Sequence, residues 1–164
     1  MRTVYTHDDF DEMSWHDCHV WSLELRSGNG EDDDWTSELV LGIDYIVEWL
    51  CGVGVDRRCT FRVAPARLTF HGVTDLRVEL DGGDSGFQAA LALASIDALR
   101  REPVPVQKVH FDRPYYVWTL DLHALMPGQI RFGAYGFTQT LLAEPVASES
   151  QSLSLRERDR LLGR

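Results

Sequence analysis

The chain has 164 residues, 44% of them hydrophobic, with five Trp, seven Phe and five Tyr, and a formal net charge of −10. That length suits one domain with a core of its own, and the aromatic content excludes a disordered chain. The excess of acids works against gripping a phosphate backbone, and no apolar run approaches the ~20 residues of a membrane span, so neither nucleic acid nor membrane is an expected partner.

Residues 1–13 are acidic and read as a flexible lead-in. Acids stand where a signal peptide needs an apolar run, so a cytoplasmic location is expected. His19 to Ser27 reads as a strand, with Trp21, Leu23 and Leu25 alternating against Ser22, Glu24 and Arg26 at the period of a half-buried sheet. The turn-rich acidic stretch from Gly28 to Asp34 then closes a hairpin. Glu38 to Trp49 carries the longest alternation, with Leu39, Leu41, Ile43, Tyr45, Val47 and Trp49 expected on one face. A helix would scatter those six around its circumference, so a strand is expected.

Cys59 to Val63 reads as a strand that Pro65 interrupts, because proline cannot donate to a central ladder. Arg67 to His71 and Thr74 to Leu80 continue as strands, separated by Gly72. Asp81 to Gly86 is loop. Residues 87–102 fit helix and strand alike, and are expected to form a short helical turn followed by a strand that stops before Pro103. Tyr115 to His123 and Gln129 to Tyr135 are strands, and Phe137 to Ala143 is expected to pair with the latter as a hairpin. In the tail, Ser154-Leu155-Arg156-Glu157 matches a capping box that opens a short helix ending at Gly163. The domain divides into the lead-in 1–13, a single β domain over 14–146 and a polar tail over 147–164. These segments predict a mainly β fold: an antiparallel sandwich, curved sheet or open barrel of about eight strands with a short C-terminal helix.

Cysteine usage bears on the compartment. Cys18, Cys51 and Cys59 make an odd set, which fits a reducing environment. A bridge between Cys51 and Cys59 is geometrically conceivable across the short loop they flank, and the compartment argument disfavours it.

The sharpest cluster of reactive side chains is Trp15-His16-Asp17-Cys18-His19. His16, Cys18 and His19 are candidate metal ligands, with a third-party ligand to come from His71, His110 or His123. The spacing matches no established zinc signature. The competing reading packs Trp15 in the core and leaves His16 and Asp17 bonding strand-end backbone. Cys18 beside two histidines is a weak candidate for an activated thiol. Trp15, His16, Asp17 and His71 are the candidate binding surface. Most acids lie opposite apolar faces and read as solvated, with Asp44 and Asp121 as exceptions if both sheet faces are covered. Glu31 to Asp34 and Asp81 to Asp84 lack the length and terminal Glu of a calcium loop. No nucleophile elbow, phosphate-cradling glycine loop or dinucleotide fingerprint is present, so no catalytic residue and no cofactor is expected.

At Trp15-His16-Asp17, Leu68 to Leu76 and Gly136 to Gln139, the chain resembles a group of small uncharacterised bacterial proteins over roughly residues 14–146. More loosely, through Phe70, Val73, Leu76 and Ile96, it is similar to polymorphic-toxin immunity proteins. That resemblance implies an aromatic strand leading into a valine-centred turn, and it brings no catalytic residues. The leading functional expectation is a non-enzymatic binding module recognising a basic protein. The alternatives are a small-molecule binder lined by Trp21, Trp49, Trp118 and Phe70, and a metal-dependent enzyme around His16-Asp17-Cys18-His19.

Overall fold

A computed structural model describes residues 2–32, 36–52, 58–81, 94–105, 113–123 and 127–164. Ten strands among these form one antiparallel sheet that does not close into a barrel. They are β1 (Val4–Thr6), β2 (His19–Ser27), β3 (Ser37–Cys51), β4 (Cys59–His71), β5 (Thr74–Leu80), β6 (Ser95–Pro103), β7 (Tyr116–His123), β8 (Gly128–Ala134), β9 (Gly136–Leu141) and β10 (Val146–Ser148). The helix α1 (Leu155–Leu162) follows. The sheet order is β1-β9-β4-β3-β2-β6-β7-β8-β5, with β10 added beside β4. Of the three expected architectures, a single unclosed sheet fits the curved sheet or the open barrel.

The sheet curls so that its two halves face each other. Phe70 of β4 meets Phe132 of β8 and Trp118 of β7 at centroid distances of 4.7 and 5.2 Å, although these strands are far apart in the hydrogen-bonded order. Leu39, Leu41, Ile43, Leu68, Leu120 and Ile130 fill the space between the halves, as alternation on a pleated strand dictates. Edge-to-face aromatic pairs add about 0.5–1.5 kcal/mol each beyond their burial.

Two bulges change faces that strict alternation had assigned. Between β2 and β3 the register slips at Trp21, so its indole lies over Gly42, where a Cβ would come within 2.7 Å of the ring. Val20, Leu23 and Leu25 keep the inner face. Between β3 and β4 it slips at Val47, after which Trp49 pairs with Phe61 on the face of Ile46 and Val63. One inserted residue moves every later side chain to the other side, which is why Trp49 leaves the Leu39–Tyr45 face and is 43% exposed.

Pro65 does not break β4. Its carbonyl accepts from Leu142 N at 2.8 Å, so its missing N–H points to where β4 changes partner from β9 to β10. No ladder bond is lost there. The expected hairpin between residues 129–135 and 137–143 is also replaced. β8 pairs with β7 and β5, whereas β9 pairs with β4 and β1. The chain thus crosses between the halves at Tyr135, whose N–H donates to His71 O, and again at Gly72-Val73 between β4 and β5. Gly72 has φ +65°, and a Cβ there would collide with the Tyr135 ring. Gly72→Ala is therefore expected to lose about 2–4 kcal/mol, combining left-handed strain with overpacking. Urea denaturation checks this, and a loss below about 0.5 kcal/mol would contradict the packing.

The ends of the chain are built into the fold. β1 and the 3-10 helix His7–Glu12 replace the flexible lead-in expected over 1–13, and Phe10 packs against Trp15 and Trp118. In the tail the capping box forms as expected: Glu157 N donates to Ser154 Oγ, and Ser154 N donates to the Glu157 carboxylate at 2.9 Å. Gly163 ends α1 in the left-handed conformation. Leu153 and Leu161 join the core while Leu155 is exposed. Strand β6 runs through Pro103 instead of stopping before it, and the start of the 87–102 segment, where a helical turn is expected, lies outside the described residues up to 93, as do Asp33 and Asp34 of the acidic loop.

Cys51 and Cys59 are register partners on β3 and β4, with Cα atoms 4.0 Å apart, and form a disulfide. The odd cysteine count argued for reduced thiols, and strand pairing overrides that argument here. No helix among the described residues is long and apolar enough to cross a membrane.

Candidate functional site

The five-residue run before β2 is split by its own turn. Cys18 N donates to Trp15 O at 3.0 Å, and Asp17 takes φ 62°, a conformation that short polar side chains tolerate. Trp15 goes into the core, where its Nε1 donates to Gln139 Oε1 at 2.7 Å. Cys18 is also buried, its Sγ accepting from Ile46 N at 3.4 Å. Burial pushes its thiol up to about 12, so it is no nucleophile near neutral pH. His19 lies opposite Asp44, and burial lowers its pKa against the upward pull of that carboxylate.

Only His16 and Asp17 of the run reach the surface with other polar groups. Asp17 accepts from His123 Nε2 at 3.0 Å and from Gln151 Nε2 at 2.7 Å. The His16 ring stacks on His123 at 6.3 Å, and its Nδ1 lies 3.0 Å from Asp97 O. This network ties the tail to the sheet. Among the described residues no three His, Cys, Asp or Glu side chains converge to hold a metal ion. His110 lies outside those residues.

Asp44 and Asp121, flagged as possible exceptions, do sit among partners. Asp44 is fully buried and accepts from Arg158 Nε and Nη2 at 3.0 and 2.7 Å and from Leu153 N at 2.9 Å. Asp121 is bound by Arg100 and by Gln129 Nε2. A bidentate guanidinium is a structural partner for a carboxylate such as Asp44.

His71 stands apart from the run before β2, on the face of β4 opposite Phe70. Its Nδ1 is 3.0 Å from Glu38 Oε1 on β3, and its Nε2 is 3.0 Å from Thr138 Oγ1 on β9. The carboxylate and the hydroxyl hold the ring from its two nitrogens and fix its orientation. This carboxylate–imidazole–hydroxyl connectivity is shared with nucleophilic triads. Backbone amides near the hydroxyl lie within the β1–β9–β4 ladders, whereas acyl transfer needs amide donors aimed at the reacting oxygen. His71 and Thr138 open onto a cleft of about 320 Å³ whose other walls include His7, Arg113, Tyr135 and Phe137. The sequence pointed to His71 alone, because its partners come from four separated segments.

The second exposed feature is the end of the β3–β4 hairpin. Beyond the Val47 bulge, Trp49 and Leu50 are each 43% exposed, on opposite faces. Trp49 stacks edge-to-face on Phe61 at 5.1 Å, and the disulfide lies next to it. The four aromatics expected to line an apolar pocket do not gather: Phe70 and Trp118 are core, Trp21 lies beneath Arg158, and Trp49 is on the hairpin. Compared with known proteins, the chain matches no family model, no curated protein and no solved structure.

Proposed function

We propose that this chain is a non-enzymatic binding module that recognises a basic protein, with the β3–β4 hairpin as its anchor. The observation carrying the reading is the exposure of Trp49 and Leu50 on a hairpin whose strands are bridged by a disulfide. Exposed aromatic side chains on a preorganised element lose little entropy on docking, and Trp is enriched among residues that dominate binding energy. The net charge of −10 supplies long-range attraction for a cationic surface. The resemblance to immunity proteins supports the same class of partner, a toxin with a basic face. The Cys51–Cys59 bridge is a feature that suits an oxidising compartment.

The test is affinity capture from cells that make the chain, comparing the native protein with Trp49→Ala and with Leu50→Ser. The native protein is expected to retain a basic protein whose binding weakens as salt is raised. Trp49→Ala is expected to weaken it about thirtyfold, the scale of a hot-spot residue. Equal retention by the native and Trp49→Ala proteins, with both folded by circular dichroism, would reject the hairpin as the anchor. Retention of acidic proteins alone would reject the basic partner.

A further inference from the structure

We infer that the cleft at His71 is a binding site for a small planar aromatic carboxylate, held by Arg113 and closed on one side by His7. The inference rests on a different surface from the hairpin and stands independently of it.

The cleft forms where the chain's two crossings between sheet halves run together, so segments distant in sequence supply its walls. Arg113 lies over the Tyr135 ring with 4.5 Å between guanidinium and ring centroid. Stacking fixes the plane of the guanidinium and leaves its N–H edge for an acceptor. Arg2, Arg26, Arg100, Arg101 and Arg158 are each paired with a carboxylate. Other arginines, Arg67 and Arg131 among them, also make no ion pair among the described residues, and Arg113 is set apart by lining the cleft. The cleft wall carries Arg113 together with the exposed Asp8, and a guanidinium held in plane at a concave site offers its fork to an outside anion.

The walls select its shape and charge. Tyr135, Pro114 and the His7 ring offer flat surfaces, and about 320 Å³ lies at the small end of ligand sites. The His7 ring rests on the backbone of Gly136, where a Cβ would lie 2.6 Å from Nδ1, so glycine is what lets this wall approach. Asp8 at the rim and Glu38 behind His71 disfavour a dianion, whereas one carboxylate matches the guanidinium fork. Thr138 Oγ1, 3.0 Å from His71 Nε2, borders the cleft and has lone pairs to offer. A ligand with a hydroxyl or amino group beyond its ring would donate there.

The experiment is a titration of the full chain followed by amide and ring NMR shifts, using 4-hydroxybenzoate, benzoate, benzamide and inorganic phosphate as probes. The expected result is saturable shifts at His7, Tyr135 and Thr138 with 4-hydroxybenzoate, weaker binding of benzoate, and none of benzamide or phosphate. Arg113→Ala is expected to weaken 4-hydroxybenzoate at least about tenfold, and Gly136→Ala to weaken it by displacing His7. Trp49→Ala is expected to leave this binding unchanged, which separates its failure from that of the hairpin reading. Because Arg113→Ala removes a surface contact, an unchanged spectrum outside the cleft confirms that the variant folds. The proposal is overturned if neither carboxylate saturates the shifts, if benzamide binds as well as benzoate, if phosphate binds more tightly, or if Arg113→Ala binds like the native protein.

Discussion

Replacing Arg158 with alanine is expected to destabilise the fold by about 3–5 kcal/mol, the usual cost of stranding one member of a buried ion pair. Asp44 is 0% exposed and Arg158 6% exposed, so water cannot take the place of the guanidinium. Arg158 also donates to Leu153 O at 3.1 Å and lies over the Trp21 ring. Its loss therefore frees the tail as well as orphaning the carboxylate. The discriminating measurement is equilibrium urea unfolding of three proteins: native, Arg158→Ala, and the double variant Asp44→Leu/Arg158→Met. Replacing both partners by apolar groups removes the uncompensated charge, so the double variant is expected to recover most of the loss. A single-variant loss under about 1 kcal/mol would show that the tail does not seal this face.

Trp118→Ala is the second large effect, at about 3–5 kcal/mol. Trp118 is fully buried and touches Phe10, Phe70, Tyr116 and Phe137, which belong to the N-terminal turn, β4, β7 and β9. Its Nε1 also donates to Ala134 O at 3.1 Å. Truncation opens a cavity where the two halves meet and leaves that carbonyl without its donor. Near-ultraviolet dichroism is expected to collapse more than the far-ultraviolet signal, because side-chain packing suffers before strand pairing. A melting temperature unchanged within about 2 °C would refute the central placement of this ring.

Much of the strand layout was legible because half-buried strands write a period of two into the sequence. The stretch Leu39 to Tyr45 follows it, and β2 and β5 run from His19 to Ser27 and from Thr74 to Leu80 as read. What escaped has physical causes. Bulges at Trp21 and Val47 add one residue without changing composition, so nothing local announces that Trp49 has turned outward. Proline is tolerated at Pro65 because the sheet's partner strand changes there, a fact of topology. The joint between β8 and β9 looked like a hairpin turn because adjacent strands commonly pair, and only the packing of Tyr135 on Gly72 reveals a crossing. The candidate site was less legible still. Adjacent side chains in Trp15 to His19 diverge into core and surface, whereas His7, Glu38, His71, Arg113 and Thr138 meet only after folding.

The first strand sits beside one of the last, since Val4 to Thr6 pair with Thr138 to Thr140. While the chain is being synthesised, one edge of β4 therefore waits unpaired until β9 has emerged. Closure must then bring together residues separated by most of the chain, an entropic demand that places folding among slow, non-local sheet topologies. For such a molecule the hazardous interval is its own biosynthesis, when apolar strands stand ready and their rightful neighbours do not yet exist.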